Sequence, residues 1–144
     1  MVTKYSHTTI YVTDQEKALD FYVNKLGFQK RMDYTNDNGF RWLTVGPKDQ
    51  TDIDLILMPV MSGPGMRFSK EEAAQMQSLL EKGLLSGGTF ETANCRAMYE
   101  ELKAKGVRFE GEPTDAPWGV QCTLTDGVGN WYSVLQPKAQ AWNK

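Results

Sequence analysis

The 144-residue chain holds two cysteines, one histidine and a net charge of only −2. Cys95 and Cys122 are too few for a disulfide framework and lack CxxC spacing, so they read as reduced, structural thiols. The opening MVTKYSHTTIYV has no long apolar run behind a basic start, so neither a signal peptide nor a membrane span is expected, and the cytoplasm is the expected location. So small a net charge gives no electrostatic reason to expect nucleic acid or anionic lipid as partner. A Ser-His-Asp triad would have to be built on His7, yet no serine stands in a GxSxG turn. Cys122 would be a nucleophile only if His7 activated it from across the fold. No helix follows the glycines of DGVGN (126–130), and no strand–Gly pattern precedes GPG (63–65), so neither is a phosphate or dinucleotide loop.

What is present is a repeat. Hydrophobic residues make up 40% of the chain and charged ones 24%, the balance of a soluble globular protein, and the length fits one domain over 1–144. YSHTTIYVT (5–13) reads as a strand; Asp14 is an N-cap, and Ala18, Phe21, Tyr22 and Leu26 fall on one helix face ended by Gly27. Runs at 28–34, 40–47 and 52–59, separated by turn residues, make three more strands. The order recurs. A strand at 86–93, an N-cap at Asn94, a helix with Met98, Tyr99 and Leu102 on its stripe, and strands at 107–111, 119–126 and 130–137 repeat it about 80 residues on. The expected fold is α+β, two βαβββ modules over about 5–59 and 86–137, which must share a core because a small sheet needs a partner surface. Ser69 followed by Glu72 is a capping box, so a linker helix is expected within 69–82, with Met76, Leu79 and Leu80 inward. Met58, Met61, Met66 and Met76 gather around this linker, either as packing or as a surface that adapts to apolar ligands.

HTTIYVTDQEKALDFYVNKLGF, EELKAKGVRF, PWG (117–119) and DGVGNWYSVLQP together resemble the vicinal oxygen chelate superfamily, which groups glyoxalase I, bleomycin-resistance proteins, fosfomycin-resistance enzymes and extradiol dioxygenases. The resemblance spans about residues 5–137. It implies paired modules forming a curved mixed sheet around a cup that holds a small molecule, usually within a homodimer. It also implies where a metal would sit, on the first and last strands of each module. Here those positions are His7 and Asp54, and by the repeat Gly87 and Ser133, neither of the latter an ordinary metal ligand. Glu91 lies four residues beyond Gly87, roughly 13 Å along a strand, too far to replace it.

Asp54 sits in the otherwise apolar DIDLIL, so its carboxylate needs a ligand, a cation or a hydrogen-bond partner. His7 can be a polar anchor beside it. Trp42 and Trp118, with Phe40 and Trp131 behind them, are candidates to line the cup by stacking. Arg41 points away from Trp42 and either counters an anion or is solvated. Gln121, Thr123 and Ser133 offer neutral hydrogen-bonding groups. Two readings follow. In one, the protein binds a small organic molecule at His7, Trp42, Asp54, Trp118, Gln121 and Ser133, without a complete catalytic metal site. In the alternative, His7 and Asp54 belong to a metal-dependent lyase, isomerase or dioxygenase using Mn, Fe, Ni or Zn as a Lewis acid.

Overall fold

Residues 1–139 are described by a computed structural model, in which two mixed sheets carry the repeat. The first module runs β1 (His7–Val12), α1 (Gln15–Leu19), β2 (Gln29–Thr35), β3 (Arg41–Gly46) and β4 (Asp54–Pro59). Its sheet order is β1-β4-β3-β2, with β1 parallel to β4. The linker helix α2 (Lys70–Glu81) follows, its capping box formed as the sequence predicts. The second module runs β5 (Leu85–Glu91), α3 (Cys95–Ala104), β6 (Arg108–Phe109), β7 (Thr114–Ala116), β8 (Gly119–Thr125) and β9 (Asn130–Pro137). Its order is β5-β9-β8-β6, again with the first and last strands parallel, and β7 added on β8. No helix among the described residues is long and apolar enough to cross a membrane.

Two local features depart from the sequence reading. Strand β7 was not expected; three residues are too few to show an alternation, and it places PWG in the turn of a β7–β8 hairpin. The first helix is α-helical only to Leu19 and continues as π-helix over Asp20–Lys25, where the Leu26 N–H reaches back five residues to the Phe21 carbonyl at 2.9 Å. That wider turn carries two consecutive aromatics, Phe21 and Tyr22, into the core together.

Alternation divides each sheet into two faces. In the first, Ile10, Val12, Leu43, Val45, Leu55 and Leu57 enter one cluster with Cys95, Leu102, Cys122, Leu124, Tyr132 and Val134 of the second, so the modules share their core. The joint is polar at its centre. Tyr22 donates its hydroxyl proton to Asp126 Oδ2 at 2.6 Å, so Tyr132, 2.7 Å from the Tyr22 oxygen, must be the donor in that second bond. Asn130 spans the joint from the other side, its Nδ2 donating to the Tyr11 carbonyl at 2.8 Å.

Burial, and then the neighbouring Tyr132 and Asp126, hold the Tyr22 hydroxyl well above the ordinary tyrosine range; burial raises Tyr132 likewise. Protons retained in the fold but released by the unfolded chain mean stability is complete below about pH 10 and falls as pH rises through it. Urea midpoints between roughly pH 8 and 11 should therefore decline only at the alkaline end, and the decline should shrink in Tyr22→Phe. A midpoint as steep in that variant as in the parent would show that other groups set the alkaline limit.

Candidate functional site

The faces turned away from the core hold the candidate residues. Parallel pairing sets His7 opposite Asp54, with His7 Nε2 3.8 Å from Asp54 Oδ2. Trp42, on the same face, places its ring centroid 6.1 Å from that of His7. His7 Nδ1 lies 2.8 Å from Ser6 Oγ, and the imidazole is 43% exposed. Further along the face, Tyr11 and Phe68 approach to 5.4 Å between centroids. They line a cavity of about 190 Å³ with Phe40, Met58, Met61, Met66 and Arg67. Three of the four linker methionines thus converge; Met76 does not join them. Thr44 lies between Met32 and Ile56 in the floor of this face, and its Oγ1 is the buried side-chain polar atom without a hydrogen-bond partner among the described residues.

Sequence reasoning missed Arg31. It occupies a bulge in β2, and Nη1 donates to Asp54 Oδ1 and to the Ile53 carbonyl, both at 2.7 Å. Nη2 donates to the Pro47 and Gln50 carbonyls at 2.6 Å. The guanidinium fits because residue 46 is glycine; a Cβ there would overlap it. The sequence signal is indirect: a carboxylate in DIDLIL that needs a ligand, a cation or a hydrogen-bond partner, beside a GPKDQT loop. Arg41 is neither an anion site nor solvated. It holds Asp33 in two bonds of 2.8 Å and also pairs with Glu16, and its hydrogen bonds keep the Asp33 carboxyl below the usual carboxylate range.

On the second sheet, Trp118 is 45% exposed at the hairpin turn and its Nε1 donates to Gln121 Oε1 at 2.8 Å. Ser133 lies opposite Thr89, two positions beyond Gly87; β5 bulges between Ser86 and Gly88, and the extra residue there supplies one of the two. Gly87 is no counterpart of His7. A Cβ at 87 would meet the buried Tyr132 ring, so that position points into the core. Trp131 turns its Nε1 to the Leu84 carbonyl at 3.3 Å, fastening the chain after α2. The six candidates therefore form two groups, His7, Trp42 and Asp54 on one sheet and Trp118, Gln121 and Ser133 on the other. No hydrogen bond, ion pair or ring contact among the described residues joins the groups.

These residues do not fit a divalent cation. One Asp54 oxygen is committed to a guanidinium, the second module supplies only hydroxyls, and no three His, Cys, Asp or Glu side chains among the described residues are grouped to hold an ion.

Known proteins are similar to this chain throughout its length. A family model described as Glyoxalase/Bleomycin resistance protein/Dioxygenase superfamily matches residues 4–134. The uncharacterized protein YurT of Bacillus subtilis (strain 168) is 35% identical over 130 residues, 90% of this chain and 95% of its own. Among solved structures, UcmS2 superposes with a TM-score of 0.85 at 40% identity, covering 94% of this chain and 99% of that one. TnmS3, an antibiotic binding protein from Streptomyces sp. CB03234, superposes with a TM-score of 0.72 at 32% identity, covering 95% and 98%.

Proposed function

This chain belongs to the glyoxalase/bleomycin resistance protein/dioxygenase superfamily, and on that premise we propose that it binds a small, planar, largely apolar organic molecule of the antibiotic type, without a metal. One observation carries the reading: the face that bears His7 sets Trp42 beside it and, further along, Tyr11, Phe68 and methionines around a cavity, while the only carboxylate partner of His7 is already neutralised by Arg31. Rings and thioethers bind by area and dispersion, and a neutralised acid offers no corner for an ion. The antibiotic-binding name of TnmS3 supports the ligand class. The working unit is a cytoplasmic homodimer, in which the Trp42 face of one protomer meets the Trp118 face of its partner. The separation of the two residue groups within one chain supports this.

Titration with bleomycin and a series of planar polycyclic antibiotics, followed by tryptophan fluorescence, tests the reading. At least one compound should bind with micromolar or tighter Kd, EDTA should change nothing, and Trp42→Ala should weaken binding about tenfold or more. Absence of any fluorescence or Tm response across the series, or binding abolished by EDTA, would overturn it.

A further inference from the structure

The two cysteines stand 27 positions apart in the chain, yet their sulfurs are 3.5 Å apart in the core. Cys95 is the first residue of α3 and fully buried; Cys122 lies in the middle of β8 and is 7% exposed. The approach is built by the fold. The Asn94 side chain caps α3 by accepting from the Ala97 N–H at 3.0 Å, and the Cys95 N–H donates to Gln136 Oε1 at 2.9 Å, which fixes the first turn against β9. Cys122 pairs with Val134, whose carbonyl lies 4.0 Å from the Cys95 sulfur. Two thiols held in this way need roughly 1.5 Å of further approach to reach the about 2.0 Å of a disulfide, a distance within reach of small side-chain rotations.

We propose that Cys95 and Cys122 are an oxidisable pair, converted by small-molecule disulfides into an intrachain disulfide that the native fold accepts. The inference is independent of the ligand reading. In the closed structure burial, and then Cys95, push the Cys122 thiol up to about 12, so the exchange proceeds when the first turn of α3 opens. The Cys95 thiolate then attacks one sulfur of the small disulfide and expels the other as thiolate. Cys122, its proton lost to solvent, attacks the Cys95 sulfur of the mixed disulfide and expels the second thiolate. The protein gives up two protons and two electrons, and the small disulfide leaves as two thiols. The new bond ties α3 to the back of the strand whose front carries Gln121.

The test is equilibration with oxidised glutathione, both of native protein in increasing sub-denaturing urea and during refolding from urea. The expected product is a single chain lighter by two hydrogens, with the Cys95 and Cys122 peptides linked. It should form faster as urea opens the helix turn, be absent in Cys95→Ala and in Cys122→Ala, and raise Tm on the order of 5–10 °C until a reductant is added. The parent protein alone decides the matter by peptide mapping, so a variant that folds poorly does not blur the result. A product that stays glutathionylated, links two chains, retains both thiols after refolding, or melts lower than the reduced protein would overturn the proposal.

Discussion

Asp126→Ala is expected to cost about 4 kcal/mol of folding stability and to lower Tm by roughly 10 °C. The carboxylate is 4% exposed and accepts four hydrogen bonds. Oδ1 takes the Val128 and Asn130 N–H groups at 2.9 Å; Oδ2 takes the Tyr22 hydroxyl at 2.6 Å and Asn130 Nδ2 at 2.9 Å. Truncation removes the shared acceptor of all four bonds, and the loss falls at the joint between the modules. Asp126→Asn keeps the shape but turns one acceptor into a donor, so its stability should fall between those of the parent and the alanine variant. Urea unfolding followed by circular dichroism measures both. A loss under about 1 kcal/mol for the alanine variant would mean that the hairpin re-forms its bonds without the acid.

The second large effect is at Arg31. Arg31→Ala should cost about 3 kcal/mol, because it leaves Asp54, 24% exposed, with only the 3.8 Å approach of His7 and frees three loop carbonyls. Lysine should rescue little. A single ammonium cannot reproduce a fork that serves Asp54 and Ile53 with one nitrogen and Pro47 and Gln50 with the other. Thermal melts of both variants check this, and an Arg31→Lys protein with parental Tm would show that charge alone suffices.

Much of the fold could be read because its signals are local. Asp14, Ser69 and Asn94 cap the three helices where their spacing to the apolar stripe says they should, and the run lengths place eight of the nine strands. The pairing of His7 with Asp54, which open the parallel neighbours β1 and β4, follows what the family resemblance implies for the first and last strands of a module. What could not be read depends on register and on distant partners. A one-residue bulge in β5 moves the partner of Ser133 from Gly88 to Thr89, and nothing in SGGTFE announces it except the glycines themselves. Arg31 and Asp126 carry no signal of their partners in the sequence, because an ion pair across 23 positions and a hydroxyl bond across 104 leave no periodic trace. That Asp54 needs a ligand, a cation or a hydrogen-bond partner is legible in the sequence; that Arg31 is the partner is not.

The wall made by Met58, Met61 and Met66 has a consequence for selectivity. Unbranched thioethers change rotamer at little cost, so the wall would follow the outline of a guest instead of imposing one. A surface of that kind rejects little by shape. Guests that differ by a methyl or a ring edge would then be held within a few-fold of one another, and discrimination would fall to the few polar groups at its margin, Arg67 among them.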